Sequence, residues 1–329
     1  MKIGIVGTGR ISKLFLTTIN LLPEIQCTAI CTREKSMERA KKLVMEYRIQ
    51  DNYNNYLEFL THGNFEWVYI GIENGLHFQY GKAALEYQKH LIIEKPLAGR
   101  LHQVKELYEK AVFNRKFLFE SMSLFYMPLY FKMKKQIKML KDVKIVICNF
   151  SKVSKEYNDY INGNIWHSFD AGNFGGALYD LNIYNINFVT SIWGMPLSSK
   201  YYPNQGYNGI DTSGVLLLTY LGFQVCCISA KDSDAINFIQ VQGSNGYVYM
   251  EGTANAFPKI ISNIDGECQV FKEERDYQER MSYELEAILR IYKQRDFQIC
   301  YKIFENTLNT FEIIEKIVKG GEKLYEESR

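Results

Sequence analysis

Lys2-Ile3-Gly4-Ile5-Val6-Gly7-Thr8-Gly9-Arg10-Ile11-Ser12 decides the fold of this chain. Residues 2–6 form a short apolar run suited to a buried parallel strand. Two glycines follow at once, and a helical pattern then runs through Ile11, Phe15, Ile19 and Leu22. In a strand–glycine turn–helix the first glycine permits the tight turn. The second lets the backbone approach a pyrophosphate, which then rests on the positive helix N-terminus. Ser12 stands where a third small residue would pack helix against strand. A bare G-x-G says little; placed directly after a first strand and opening a helix, it specifies a dinucleotide site.

The next segments repeat the alternation. Ile25 to Cys31 reads as a strand that ends beside an adenosine ribose. An NAD site places a carboxylate there, but this chain has Thr32-Arg33, with Lys35 and Ser36 behind. A hydroxyl and a guanidinium suit a 2′-phosphate, so NADP is expected, with NAD as the alternative. Trp67 to Ile72, His90 to Ile93 and Phe117 to Phe119 are further strands, with helices over Phe78–Tyr87 and Leu101–Val112. Such β/α alternation implies a doubly wound parallel sheet with ligands beyond the carboxyl ends of its strands. Three segments leave those ends: Glu73-Asn74-Gly75-Leu76-His77, Glu94-Lys95-Pro96 and Glu120-Ser121-Met122. Whether Pro96 is cis or a rigid trans turn stays open at this point.

From about residue 144 the pattern changes. Lys144–Phe150, Gly214–Tyr220, Gln224–Ala230, Phe238–Gln242 and Tyr247–Glu251 read as strands. Leu221-Gly222 and Gly243-Ser244-Asn245-Gly246 are hairpin turns. Helical segments follow over about 281–293 and 297–318.

Composition bounds the function. The chain has 329 residues, 47% hydrophobic and 23% charged, with a net charge of +2. At roughly 150 residues per domain that means two domains of ordinary globular character. The near-zero charge gives no general attraction to nucleic acid or an anionic membrane. Seven cysteines, none in a CxxC pair, sit mostly in apolar runs and argue against a disulfide framework or a zinc site. No charged leader with an apolar core opens the sequence, and no apolar run approaches the ~18 residues that span a bilayer. The expectation is a cytoplasmic protein without metal.

Glu94-Lys95-Pro96 after an apolar strand, with Asn74-x-x-His77 and Gly7-x-Gly9 upstream, resembles the Gfo/Idh/MocA family. That family includes glucose–fructose oxidoreductase, inositol dehydrogenases and dihydrodiol dehydrogenases. Lys82-Ala83-Ala84-Leu85 through Leu97-Ala98 is similar to it as well. So is Gly175-Gly176-Ala177-Leu178-Tyr179-Asp180 with Tyr184. The resemblance implies an α/β chain divided at 123/124. Residues 1–123 would form a Rossmann domain, and 124–329 a substrate-binding and oligomerisation domain with a large, mostly antiparallel sheet. It also implies a homodimer or homotetramer, to which the apolar strands 214–220 and 224–230 are suited.

Moving a hydride to or from a carbinol requires a group that exchanges the hydroxyl proton and positive charge near the developing alkoxide. A nearby ammonium favours the phenolate form of a tyrosine. By resemblance that pair is Lys95 and Tyr184, assisted by Asp180. Asp180 and Tyr184 are i and i+4, so a helix beginning after Gly176 places them on one face. Taken alone, each has a plainer reading: Tyr184 falls in an apolar row with Leu181 and Phe188, Asp180 suits a solvated helix face, and Lys95 suits an extended loop. The expected cofactor set is Gly7, Thr8, Gly9, Arg10, Ile11, Thr32, Arg33, Asn74, His77, Glu94 and Lys95. His77 equally suits a helix cap.

The small-molecule substrate is expected against Lys95, Tyr126, Trp166, Asp180 and Tyr184. Trp166, with His167 beside it, reads equally as a loop tryptophan packed on the sheet. Glu73, Phe125 and Asn182 depart from the family pattern, and all three are expected to alter the substrate site. The implied activity is NADP-preferring hydride transfer with a sugar, polyol or related alcohol. The competing class is a catalytically silent NAD(P)-sensing regulator or partner-binding protein on the same scaffold.

Overall fold

The computed structural model describes residues 1–276 and 279–326. It divides into two compact units, Met1–Met122 with Asp276–Glu305, and Ser123–Arg275 with Asn306–Arg329.

The first unit is built on six parallel strands: β1 (Lys2–Val6), β2 (Gln26–Cys31), β3 (Asp51–Tyr53), β4 (Trp67–Ile70), β5 (His90–Glu94) and β6 (Leu118–Ser121). Their order is β3-β2-β1-β4-β5-β6, and every pairing is parallel. The strand order reverses between β1 and β4, the point where open α/β sheets bind ligands. Helices α1 (Arg10–Ile19), α2 (Met37–Tyr47), α3 (Tyr56–His62), α4 (His77–Glu86) and α5 (Leu101–Phe113) connect the strands. Ile3, Ile5, Trp67, Tyr69 and Ile92 are fully buried in this sheet, as expected for strands covered on both faces.

In the second unit α6 (Pro128–Ile137), α7 (Tyr157–Ile161) and α8 (Ile183–Trp193) accompany eight strands. These are β7 (Ile145–Ser151), β8 (Ser198–Gln205), β9 (Asp211–Tyr220), β10 (Phe223–Ala230), β11 (Phe238–Gly243), β12 (Gly246–Glu251), β13 (Lys259–Ile264) and β14 (Glu267–Lys272). The sheet order is β14-β13-β12-β11-β7-β10-β9-β8, antiparallel except for β7 with β10. Register separates its faces. Leu216, Cys227, Cys148, Ile239, Met250 and Ile260 form one row across the sheet, and all are buried. The row one residue away carries Leu217, Cys226, Ile147, Gln240, Tyr249, Ile261 and Val270, and is exposed or half-buried throughout.

The segment Asp276–Glu305, expected in the C-terminal domain, belongs to the first unit. Helix α9 (Met281–Gln294) buries Leu285, Ile288, Leu289 and Ile291 in the cluster that holds Phe15 and Ile19 of α1. At about 2 kcal/mol for each fully buried aliphatic side chain, that stripe gives α9 its place. Helix α10 (Phe297–Glu326) follows.

Candidate active site

Gly7 leaves β1 with φ +108°, and a Cβ there would overlap the Gly71 carbonyl, so only glycine fits this turn. Ser12 is fully buried and donates from Oγ to the Gly71 carbonyl at 3.2 Å, which accounts for serine at the small-residue position. Gly9 is the N-cap of α1 and supplies no side-chain cap, and the first turn carries no acidic residue. A Cβ added to Gly9 would meet nothing within 4 Å. The amides of Gly9, Arg10 and Ile11 therefore open an unobstructed helix N-terminus, the arrangement a pyrophosphate fits. Thr8 is half-buried in the turn.

At the end of β2, Thr32 donates its amide to the Tyr53 carbonyl at 3.0 Å. Arg33 is half-exposed and pairs with Glu73 at 2.8 Å. Glu73, expected to alter the substrate site, is thus paired with the arginine that follows β2.

Beyond β4 and β5, Asn74 opens a short 3-10 turn that leads into α4, and His77 begins that helix. The His77 ring is fully buried, with Nδ1 2.8 Å from the Pro96 carbonyl oxygen and Nε2 3.1 Å from that of Ile72. Burial pushes its pKa below the usual imidazole range. His77 ties the two strand-end segments together and places the Glu94-Lys95-Pro96 turn. The Lys95–Pro96 bond is cis, and Lys95 is half-buried.

Behind Lys95 lie three buried carboxyls. Glu94 accepts from the Tyr69 hydroxyl at 2.6 Å, Glu120 accepts from the Leu97 amide at 2.9 Å, and Glu284 lies 3.3 Å from Ser121 Oγ. Burial raises the pKa of Glu94 and, more strongly, that of Glu284, to which the neighbouring Glu94 charge adds.

The second unit carries Asp180 and Tyr184. The helix expected after Gly176 begins there, widens into a π turn over Leu178–Asn182 and returns to α-helix at Ile183. Asp180 falls in the π turn and Tyr184 in the α-helical stretch that follows. The wider turn is held from outside. Gly176 has φ +88° and packs where a Cβ would overlap Asp211, whose carboxylate accepts from the Leu178 amide and the Tyr201 hydroxyl, both at 2.7 Å. Removal from water pushes the Asp211 carboxyl up to about 6. Asn182 and Asn185 then donate to the Cys227 and Ile228 carbonyls of β10 at 3.3 and 3.1 Å. Asn182 is fully buried, so this departure from the family pattern serves the packing of the turn on the sheet.

Asp180 accepts at 2.8 Å from Lys231, a buried lysine that the sequence did not single out. Tyr184 is half-buried, with its ring 5.8 Å from that of Phe150. Phe125 and Tyr126 are buried in the turn Ser123–Tyr126. Trp166 is 46% exposed and donates to Asp159 at 2.8 Å, beside an exposed His167. Of the expected site residues, the first unit therefore gathers Gly7 to Ile11, Thr32, Arg33, Asn74, His77, Glu94 and Lys95 on strand-end segments. The second carries Tyr126, Trp166, Asp180 and Tyr184. Among the described residues no group of three His, Cys, Asp or Glu side chains is arranged to hold a metal, and no helix is long and apolar enough to cross a membrane.

A switch-point glycine turn, an uncapped α1 and a basic residue after β2 define a dinucleotide-binding Rossmann domain. Residues 1–121 match the Oxidoreductase family, NAD-binding Rossmann fold. It is 24% identical over 319 residues to scyllo-inositol 2-dehydrogenase (NADP(+)) IolU of Bacillus subtilis, covering 97% of this chain and 96% of that protein. It is 27% identical over 254 residues to trans-1,2-dihydrobenzene-1,2-diol dehydrogenase of Sus scrofa, covering 75% and 72%. Among solved structures, the 3-ketoreductase KijD10 of Actinomadura kijaniata, in complex with NADP and TDP-benzene, superposes with a TM-score of 0.86 at 18% identity over 97% of each chain. The aldose-aldose oxidoreductase of Caulobacter crescentus gives 0.83 at 15% identity over 98% of each.

Proposed function

We propose that this protein is an NADP-preferring oxidoreductase acting on a secondary alcohol, hemiacetal or ketone of a sugar, polyol or related small molecule. The observation that carries the reading is the Glu94-Lys95-Pro96 turn after β5, tied by His77 to the segment that follows β4 at the switch point. The scyllo-inositol 2-dehydrogenase and the trans-1,2-dihydrobenzene-1,2-diol dehydrogenase to which the chain is similar support the substrate class. Arg33, with Thr32 beside it, favours NADP.

When bound, the nicotinamide supplies the hydride donor or acceptor. Backbone amides of Gly9, Arg10 and Ile11 hold the pyrophosphate, and Arg33 exchanges Glu73 for the 2′-phosphate. Lys95 binds the reacting oxygen and favours the phenolate of Tyr184, which takes or returns the hydroxyl proton. Asp180 orients the substrate hydroxyl or Lys95. Tyr126 and Trp166 complete the substrate-binding set.

The second unit serves as the substrate-binding and oligomerisation domain. Its exposed sheet row, with Leu217 41% and Val270 51% accessible, is an apolar face suited to a second copy in a dimer or tetramer. The chain works in the cytoplasm.

The test is NADPH oxidation and NADP reduction across sugars, polyols, diols and dicarbonyls. Turnover on one of these classes is expected. Tight cofactor binding with no turnover on any of them identifies a sensor instead.

A further inference from the structure

Lys231 follows directly on β10 and is clamped on both sides of its backbone. Its amide donates to the Thr212 carbonyl at 2.7 Å, and its carbonyl accepts from the Ser154 amide at 2.9 Å. The side chain turns inward and is 2% exposed. Nζ donates to the Ser168 carbonyl at 2.7 Å and to Asp180 Oδ2 at 2.8 Å, and lies 4.6 Å from the centre of the Phe169 ring. The carbonyl and the ring are neutral, so Asp180 is the formal counter-charge in contact with the ammonium. The two ends of the pair differ. The ammonium is sealed in, whereas the Asp180 side chain is 34% exposed.

A sealed lysine is a costly way to fill space. Taking an ammonium out of water costs several kcal/mol, and an apolar side chain of similar volume serves packing as well or better. What an apolar residue lacks is a fixed point of charge. Asp180 stands in a π turn, where the backbone departs from regular helical geometry. Lys231 adds a charged restraint on its side chain from the sheet.

We propose that Lys231 is the positioning residue for Asp180, holding its carboxylate in one orientation for hydride transfer. This rests on the proposed oxidoreductase reading, in which Asp180 orients the substrate or Lys95. Loss of the Lys231 contact removes a restraint on the carboxylate, and a misplacement near 1 Å in a catalytic constellation lowers rate by about 100-fold.

The experiment is steady-state kinetics of the full-length protein on whichever panel substrate the wild type turns over. Lys231→Met, Asp180→Asn and the double variant are compared, with folding checked by near-UV circular dichroism. Lys231→Met is expected to lower kcat by about 100-fold, with KM and the Kd for NADPH within about twofold of wild type. In the Asp180→Asn background, adding Lys231→Met is expected to change kcat by less than about twofold, because both changes remove the same restraint. The double variant removes both charges together, so it remains testable if a single variant folds poorly.

Two results overturn the proposal: a folded Lys231→Met with wild-type kcat, or a Lys231→Met loss that multiplies undiminished onto that of Asp180→Asn. Failure of the oxidoreductase reading shows elsewhere. In that case the wild type binds NADPH and turns over no panel substrate, and the role assigned to Lys231 falls with it.

Discussion

The two units treat charge at their strand ends in opposite ways. In the first unit the ion pair at the site, Arg33–Glu73, lies open to solvent, while Glu94, Glu120 and Glu284 are buried behind Lys95. Burial raises the pKa of Glu94 and Glu284, so protonation relieves their mutual repulsion. In the second unit a sealed cation is neutralised by a carboxylate that reaches the surface, Lys231–Asp180. The first arrangement gathers carboxyls out of water, and the second holds a cation out of water against its counter-charge. An exposed pair contributes at most about 1 kcal/mol to stability and can exchange partners for a ligand. A pair with one sealed member tolerates no such exchange, because breaking it strands the buried Lys231 charge.

The largest expected effect is on turnover. Tyr184→Phe should lower kcat by about 10²- to 10⁴-fold, the range of a lost proton exchanger, and leave the Kd for NADPH within about twofold. Unchanged turnover would remove the second unit from the chemistry.

Next is stability. Asp180→Asn should cost about 3 kcal/mol in urea denaturation, because it leaves the Lys231 ammonium uncompensated. Glu284→Gln, which replaces a carboxyl already inclined to be neutral, should cost about 1 kcal/mol or less, the scale of one hydrogen bond. Equal losses would erase the contrast between the units.

Third, Arg33→Asp should weaken NADPH binding by about tenfold or more, the loss of one charge-assisted contact, and leave NADH binding unchanged by fluorescence titration. Equal losses for both cofactors would mean that the open pair has no part in selectivity.

The smallest effect is on the pH profile of thermal stability. Glu94, Glu284 and Asp211 have folded pKa values above their free values, with Asp211 at about 6 against 3.8. Their stabilising contribution is complete below the free pKa and is lost as pH rises through the folded one. His90, buried and pushed down to about 4, acts the other way, and its contribution is lost as pH falls from 6.5 toward 4. Melting temperature should therefore fall through the Asp211 contribution as pH rises from about 4 to about 6, with His90 acting against it over the same interval, and the fall should be shallower in Glu284→Gln. An identical slope in that variant would assign the pH dependence elsewhere.

The sequence carried the parts of this architecture that are local. Gly7-x-Gly9 after an apolar run, the β/α alternation and the hairpin strands β9 to β12 were legible because periodicity and turn chemistry act over a few residues. Strand β8, Ser-Ser-Lys-Tyr-Tyr-Pro-Asn-Gln, escaped because it is a polar edge strand with little apolar alternation. The place of α9 in the first unit escaped because an amphipathic stripe shows that a helix packs, not against what. At the site, family motifs pointed to Lys95, Asp180 and Tyr184. No local signal marked Lys231, 51 residues from Asp180, or Glu284, 163 residues from Ser121. The π turn was hidden as well, since the groups that hold it, Asp211 and the β10 carbonyls, lie far from it along the chain.

The most direct test of the central claim is transfer of label from NADPH carrying deuterium at both C4 positions. The protein is incubated with a panel of keto-sugars, keto-polyols and dicarbonyls, and the products are read by mass spectrometry. The account predicts a product one mass unit heavier, with deuterium on the new carbinol carbon, and loss of that product in Tyr184→Phe. Saturable NADPH binding with no deuterium in any product would contradict it.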